Sequence, residues 1–506
     1  MPFERSSGLL LHIASLPSIG GIGDLGPAAY AFADFLAASK QRLWQVLPLG
    51  PTGYGNSPYA SLSAFAGNPL LVSLENLADR GWLENTSDRG RLATLPGPSG
   101  NIDHEAVLTQ KLPLLEEAAR NFLHSHSPEE WSSFESYCRE NTPWLNDWAL
   151  YSVLRRKFDF ASWSDWPSDV KHRDPAALDR LRLEHGEELA VAQALQFAFD
   201  EQWRALRAYC AARDIRFIGD IAIFVNYDSA DVWTNPELFE LDKDLLPIRV
   251  AGVPPDYFSQ TGQRWGNPLY KWDVLQQSGF AWWVDRIRRA QFLYDVIRLD
   301  HFRGFEAYWA IPAQDETAVN GKWVKAPGTA LFQKLHDQLG ELPFIAEDLG
   351  LITKEVDALR EQFHLPGMKV LQFGFSGRGA HIHLPHRFVT NTVAYTGTHD
   401  NDTTRGWWEH GATEVEKDAV RAYLGVTAND VVWPLIRATA SSVADLALYP
   451  VQDILELGSE ARMNVPSRPT GNWSWRCAEN ALTPALAQKL AALTAVTDRD
   501  KHDSAS

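Results

Sequence analysis

Apolar runs of strand length recur along the chain and alternate with stretches of helical periodicity. Eight such runs begin near positions 9, 42, 215, 296, 344, 368, 392 and 447. Runs that are apolar throughout are typical of parallel strands covered on both faces, whereas half-exposed strands alternate. Because helical segments separate most of the runs, the pattern predicts an α/β protein built as a (β/α)₈ barrel.

The long connections predict how the chain is organised around this barrel. We expect residues 1–506 to form a single catalytic domain. Positions 74–214 carry amphipathic stretches rich in Glu, Arg, Ala and Trp, which predict a helical insertion subdomain. Positions 226–280 predict a second insertion. Its segment GVPPDYF at 252–258 combines two prolines with two aromatic residues, which favours a lid over a cleft.

Charge and cysteine content exclude several classes of partner. The chain has 47 basic and 64 acidic residues and a formal charge of −17, so we expect neither a nucleic acid nor an anionic membrane surface as partner. Its three cysteines, Cys138, Cys210 and Cys477, are widely spaced, which favours a reducing cytoplasm. No apolar stretch reaches the length of a membrane span. Core and helix packing must account for most of the twenty tryptophans, but their flat apolar faces also stack on sugar rings or other flat ligands. The charge balance favours a neutral substrate.

Neither a cofactor nor a metal ion is expected. The glycine cluster at 19–26 lacks the Gly-Lys-Ser/Thr ending and the Gly-x-Gly-x-x-Gly spacing of nucleotide-binding loops. A metal site built from His399, Asp400 and Asp402 is conceivable, but no pair of histidines with ligand spacing supports it.

Three carboxylates follow apolar runs. Asp300, Glu347 and Asp400 each stand where a predicted strand ends. The C-terminal ends of all strands open on one face of a barrel, so these side chains should meet over one pocket. Mutual repulsion would raise at least one pKa and leave a proton donor at neutral pH. A proton donor and a nucleophile flanking one bond are the equipment for cleaving a glycosidic bond.

Other polar residues beside the predicted strands allow two interpretations. Arg298 could form a simple ion pair with Asp300 or could keep a nucleophilic carboxylate ionised. His301 and His399 would donate hydrogen bonds to sugar hydroxyls. Asp220, which interrupts the apolar run 215–225, is on its own better explained as an ion-pair partner than as a site residue.

Six motifs resemble those of one known family. They are DHFRG at 300–304, AEDLG at 346–350, THDNDT at 398–403, GVPPDYF at 252–258, QRWGNPLY at 263–270 and SPYA at 57–60. They look like the motifs of the 4-α-glucanotransferases called amylomaltase or disproportionating enzyme, glycoside hydrolase family 77. The resemblance runs from Ser6 to about Trp475 and is weakest across 75–210. It implies a TIM barrel with mainly helical insertions and no C-terminal β-domain.

The resemblance also implies roles for individual residues. Asp300 would be the nucleophile, Glu347 the general acid/base and Asp400 the third acid, which grips the hydroxyls of a distorted sugar. The residues implied in substrate binding are Arg298, His301, His399 and Asp220 at the central sugar, Tyr59, Asp256, Tyr257, Phe258 and Trp265 at neighbouring glucose units, and Tyr54 at a more distant contact. Ile13 to Ser18 and Ala222 depart from the family pattern, which affects the expected shape of the sugar subsites.

The implied activity is transfer of α-1,4-glucan segments. A donor malto-oligosaccharide would give its segment to the 4-hydroxyl of an acceptor glucan or glucose, through a covalent glucosyl-enzyme and with retention. Two alternatives share these features: an α-1,4-glucan hydrolase of the α-amylase type, and a catalytically silent glucan-binding protein. Hydrolase and transferase use the same carboxylates, so these residues alone do not separate the two enzymes.

Overall fold

Eight parallel strands close into a barrel. The computed structural model describes residues 3–83, 90–255, 259–427, 430–466, 468 and 470–500. Twelve strands, numbered β1 to β12 in chain order, occur in this part of the chain. The barrel strands are β1 (Ser6–Leu10), β2 (Leu43–Gln45), β3 (Arg216–Ala222), β6 (Val296–Asp300), β9 (Phe344–Ala346), β10 (Gly367–Val370), β11 (Thr392–Tyr395) and β12 (Leu446–Pro450). They follow one another around the barrel in sequence order, which confirms the predicted fold.

Most barrel strands are shorter than the apolar runs that predicted them. The run 368–375 is a strand only over Gly367–Val370 and then becomes a 3₁₀ turn over Leu371–Phe375. The run 447–457 likewise changes from β12 to a short helix at Val451–Ile454. Both continuations are largely buried, and burial makes a segment apolar whatever its backbone conformation, so periodicity alone could not locate these strand ends.

Helices cover the barrel and fill its long connections. The α-helices of the described residues are Pro27–Ala38, Leu74–Asp79, His104–Ala106, Leu112–His124, Pro128–Glu140, Thr142–Lys157, Ser168–Lys171, Pro175–Glu184, Gly186–Ala211, Ala230–Thr234, Trp272–Gln277, Ala281–Leu293, Gly328–Leu339, Lys354–Gln362, Thr404–Gly406, Glu414–Leu424, Val432–Ala440, Val451–Ile454 and Pro484–Val496. Pro27 lies in the first turn of its helix, as predicted. Past β12, the regular elements of the described chain are all helical.

The region 74–214 is helical in its described residues. The helix Gly186–Ala211 is its longest element, and Phe197 from this helix packs against Phe122, which stacks on Trp82 with ring centroids 4.2 Å apart. A buried ion pair between Lys111 and Asp24, 2.8 Å long, joins the region to the loop after β1. Its boundaries as a subdomain, like those of the insertion 226–280, stay predictions.

A second sheet stands on one end of the barrel and was not predicted. It contains β4 (Arg249–Val253), β5 (Gln263–Pro268), β7 (Ala307–Pro312) and β8 (Lys322–Lys325), antiparallel in the order β5-β4-β7-β8. The strands β4 and β5 belong to the connection that follows β3, and β7 and β8 to the one that follows β6. Both connections leave the C-terminal ends of barrel strands, so this sheet lies at the face where barrel enzymes carry their sites.

Two arginines fasten the seam between the first and last barrel strands. β1 pairs with β12 over all five of its residues. The buried guanidinium of Arg499 donates to the carbonyls of Ser6, 2.9 Å away, and Ala440, 2.7 Å away. Arg5 donates to the carbonyls of Thr497 and Ala440. The helices described in this chain include none with the length and apolarity needed to cross a lipid bilayer.

Candidate active site

The catalytic candidates Asp300 and Glu347 stand at the ends of neighbouring barrel strands. Asp300 is the last residue of β6, and Glu347 directly follows β9. These strands pair in parallel with Leu299 opposite Ala346, which places the next residue of each strand side by side at the C-terminal mouth. Asp400 lies in the loop that follows β11.

Backbone amides fix the Glu347 carboxyl group from two sides. The amide of His301 donates to Oε2 and the amide of Leu349 donates to Oε1, both at 2.9 Å. His301 has a left-handed backbone with φ of 52°, a conformation that non-glycine residues rarely adopt. This turn directs its amide toward Glu347, so local backbone strain accompanies the positioning of the carboxyl group.

Arg298 connects two carboxylates below the mouth. It points inward from β6 and is almost completely buried. Its Nη1 contacts both carboxylate oxygens of Asp220, at 2.8 and 2.6 Å, and its Nη2 lies 3.0 Å from Asp300 Oδ1. The hydroxyl of Tyr59 donates to Asp220 Oδ2 at 2.7 Å. Asp220, which sequence alone favoured as an ion-pair partner, is therefore such a partner within the predicted site.

The two strand-end carboxyl groups differ in pKa. Burial raises the pKa of Glu347 to about 8, against the opposing charge of Arg298 and with added repulsion from Asp300. Burial also raises the pKa of Asp300, but only to about 6, because Arg298 lies in direct contact with it. At neutral pH the pair therefore holds a protonated Glu347 beside an ionised Asp300, whose side chain is 31% exposed at the mouth.

The third acid, Asp400, is held by residues of the segment that follows β12. Asp400 Oδ1 accepts a 2.6 Å hydrogen bond from the Asn464 side chain, and the Asp400 carbonyl accepts one of 2.7 Å from Arg462. His399 Nε2 lies 3.4 Å from Asp400 Oδ2. Burial lowers the pKa of His399, which leaves a neutral imidazole in this contact.

Three of the predicted aromatic site residues, Tyr59, Trp265 and Tyr54, are described by the structure. Tyr59 stacks on His399 with ring centroids 5.1 Å apart, at the wall of the mouth. Trp265 meets the ring of His301 edge-on at 4.8 Å and is 39% exposed. Tyr54 is 78% exposed in the same connection as Tyr59. Asp256, Tyr257 and Phe258 lie outside the described residues.

Histidine 301 carries an unpartnered nitrogen. Its buried Nε2 has no hydrogen-bond partner among the described residues. Burial lowers the pKa of His301 to about 3, so the ring is neutral at physiological pH. An unsatisfied buried polar atom of this kind costs free energy.

Sequence reasoning missed the residues that position Asp400. Asn464 and Arg462 follow β12 in the chain, beyond the last predicted strand. Trp473 packs against both Tyr59 and His399, with ring centroids 5.9 and 6.0 Å apart. Arg462-Met463-Asn464 also follows an apolar run, the same pattern that marks the carboxylates, so this pattern could have indicated them.

The described residues contain no cluster of three or more His, Cys, Asp and Glu side chains suited to hold a metal ion. Asp402 accepts a 2.7 Å hydrogen bond from the Ser459 hydroxyl. The polar side chains described at the mouth are carboxyl groups, one arginine and imidazoles.

The fold is a barrel of eight parallel strands, and its mouth carries two neighbouring carboxyl groups with different pKa values. These features define a class of barrel proteins that are equipped to act on glycosidic bonds. The family model of 4-alpha-glucanotransferases, glycoside hydrolase family 77, matches residues 11–482. The chain belongs to this family, as its motifs indicated.

Relatives match over nearly the full length of the chain. The 4-alpha-glucanotransferase of Thermus thermophilus is 50% identical and is aligned over 99% of this chain and 100% of its own. That of Synechocystis sp. is 45% identical over 98% of both chains. The structure of amylomaltase from Streptococcus agalactiae in complex with acarbose superposes with a TM-score of 0.94 at 37% identity, covering 98% of this chain and 100% of that one.

Proposed function

We propose that the protein is a 4-α-glucanotransferase. It moves α-1,4-glucan segments from a donor malto-oligosaccharide to the 4-hydroxyl of an acceptor glucan or glucose. The observation that carries this proposal is the placement of Asp300 and Glu347 at neighbouring strand ends, with Arg298 3.0 Å from Asp300 and two backbone amides bound to the Glu347 carboxyl group. Full-length relatives with the same activity in their names favour transfer over hydrolysis of the α-amylase type.

The first step transfers a proton to the leaving sugar. Both Glu347 oxygens already accept backbone hydrogen bonds, so its proton is free to point away from these amides and toward the mouth. Glu347 protonates the glycosidic oxygen as Asp300 attacks the anomeric carbon, which breaks the glycosidic bond and forms a glucosyl ester on Asp300. The shortened sugar leaves with the proton of Glu347.

The second step reverses these roles. The deprotonated Glu347 takes the proton of the acceptor 4-hydroxyl, whose oxygen attacks the anomeric carbon and releases Asp300. Two displacements at the same carbon retain its configuration. In the resting pair, Arg298 offsets the charge of Asp300, and after the ester forms it still neutralises Asp220, so the buried guanidinium remains paired throughout.

The surrounding side chains bind the sugars. Hydrogen-bond donors and acceptors around the central glucose come from Asp400, His399 and Asp220. The ring nitrogen of His301 that has no partner among the described residues is proposed to bind one of the glucose hydroxyls. Arg298 is proposed to contact the same glucose, and Tyr54 a distant glucose unit. The residues proposed at neighbouring glucose units are Tyr59, Asp256, Tyr257, Phe258 and Trp265.

Water has to be kept from the glucosyl-enzyme. Trp265 is exposed beside His301 and would stack on an acceptor glucose, which then displaces solvent from the mouth. The segment 252–258, as a lid within the insertion 226–280, would complete this exclusion.

We propose a cytoplasmic location, supported by three cysteines that are all free thiols. We also propose that residues 74–214 form the subdomain beside the single catalytic domain, supported by their shared helical core. The proposed partners are α-1,4-glucans and malto-oligosaccharides; the net charge of −17 does not suit nucleic acid or an anionic membrane surface.

Incubation with maltotriose tests the activity. The wild type should produce glucose together with oligosaccharides longer than maltotriose, seen as a ladder by chromatography. Asp300→Asn should abolish the ladder, because an amide cannot form the ester. Asp285→Asn is the matched control, since this exposed carboxylate pairs with Arg288 on an outer helix and should leave the ladder intact.

Only products shorter than maltotriose would identify a hydrolase. Absence of any product with the wild type, unchanged in Asp300→Asn, would identify a silent binding protein. Either result would overturn the proposal.

A further inference from the structure

Two tryptophans are exposed. Of the twenty in the chain, all of them described, Trp265 and Trp323 are exposed at 39% and 40%, and the others are buried or half-buried. A single exposed apolar side chain needs no explanation by itself, but an exposed tryptophan on the catalytic face is a candidate for stacking on a sugar ring. The proposed site uses Trp265 and leaves Trp323 without a role.

Trp323 lies on the catalytic face. It belongs to β8, whose hairpin with β7 occupies the connection between barrel strand β6 and the helix Gly328–Leu339. This connection starts at Asp300, at the C-terminal end of its strand. Trp265 reaches the same face through the connection that follows β3.

The Trp323 ring is fixed before any ligand binds. The guanidinium carbon of Arg303 lies 3.7 Å from the ring centroid and covers one face. Trp309, directly opposite on β7, meets the ring edge-on at 5.2 Å and is itself held by a 2.8 Å hydrogen bond to the Ala318 carbonyl. These contacts hold the ring in place, and 40% of the Trp323 surface stays exposed.

Arg303 also links this ring to the catalytic loops. It lies three residues after Asp300, and its guanidinium donates to the carbonyl of Leu351, in the loop that follows Glu347. Trp323 is thus one side chain away from the segments that carry both proposed catalytic carboxyl groups.

We propose that Trp323 is a stacking platform for a glucose unit of a long α-glucan, at a subsite beyond the catalytic mouth. This inference rests on the proposed function, which supplies a polymeric substrate whose chain must leave the mouth across this face. A flat, immobile apolar ring suits the apolar face of a glucose ring, and its rigidity removes most of the entropy cost of ordering it.

Steady-state kinetics with a short and a long substrate test the platform. Trp323→Ala should raise KM for amylose roughly two- to tenfold, the range expected for loss of one aromatic contact. The kinetics with maltotriose should not change, because this substrate is too short to span both sites. Trp323→Phe should preserve most of the amylose affinity.

Phe160→Ala is the matched control. Phe160 is 61% exposed, with Arg155 over its ring at 5.9 Å, and belongs to the helical region 74–214, in which the proposed site has no residue. It should leave both KM values unchanged. Thermal melts of all three variants establish that they are folded.

An unchanged KM for amylose in folded Trp323→Ala overturns the inference. Equal losses with maltotriose and amylose also overturn it, because they assign Trp323 a structural role under Arg303. The wild-type maltotriose ladder is measured first, so failure of the proposed activity is distinguished from failure of the platform.

Discussion

Titration of the two strand-end carboxyl groups should give a bell-shaped dependence of kcat/KM on pH. The reaction needs an ionised Asp300 and a protonated Glu347. With pKa values of about 6 and about 8, roughly 80% of the free enzyme holds this combination at pH 7. That fraction falls to about 10% at pH 5, where Asp300 takes up a proton, and at pH 9, where Glu347 loses its own. The two limbs describe the pair, since the groups titrate together.

Asp220→Asn should move the acidic limb in a defined direction. Burial raises the pKa of Asp300, Arg298 opposes this effect, and the negative charge of Asp220 adds to it. Removing that charge reduces the repulsion and leaves Arg298 to interact more strongly with Asp300. Both changes lower the pKa of Asp300, so the acidic limb should move down by about one pH unit.

The assay is the initial rate of glucose release from maltotriose between pH 4.5 and 9.5, with thermal melts to confirm folding at each pH. Tyr59→Phe is the matched control, since it removes the hydrogen bond to Asp220 and leaves every charge in place. The acidic limb of Tyr59→Phe should remain where the wild type has it. A limb in Asp220→Asn that stays fixed, or that moves to higher pH, would refute the electrostatic reasoning.

Three further variants test individual contacts. Asn464→Ala removes the 2.6 Å hydrogen bond to Asp400 and should lower kcat about tenfold without shifting the melting temperature; normal kcat would exclude a positioning role. Lys111→Met leaves Asp24 buried without its partner and should cost about 3–5 kcal/mol in chemical denaturation, partly recovered by adding Asp24→Asn; lack of recovery would contradict this origin. Glu347→Gln should be inactive, and its free energy of unfolding relative to wild type should increase from pH 5 to pH 8. The reason is that Glu347 stays protonated in the folded wild type, where its pKa is raised, but ionises in the unfolded chain. A stability difference that does not depend on pH would contradict the raised pKa.

The barrel and its catalytic candidates could be predicted because each depends on a local pattern. A buried strand produces a short apolar run, and the first charged residue after it marks where the chain reaches the mouth. Asp300 and Glu347 both fit this pattern, which requires no knowledge of how the strands pair. The same pattern does not locate the strand ends, since the apolar run at 368–375 continues from β10 through a buried 3₁₀ turn.

The second sheet and the support of Asp400 depend on distant partners. Strand β8 has four residues, most of them exposed, and becomes a strand only through its pairing with β7. Strand β5 contains both Gly266 and Pro268, which weaken a strand prediction. Asn464 is 64 positions from the aspartate that it holds, and no local periodicity connects them. These contacts follow from how the barrel closes rather than from any short stretch of sequence.

The arginine-fastened seam determines when the active site can exist during synthesis. Until β12 has left the ribosome, β1 lacks its second neighbour, and the carbonyl of Ser6 lacks a donor that lies 493 positions further along the chain. Contacts of such sequence separation form late and slowly. Residues from both ends of the chain lie at the mouth: Tyr59 comes from the connection after β2, and Asn464 from the segment after β12. We therefore expect chains that end before Arg499 to collapse around the helical region without gaining activity.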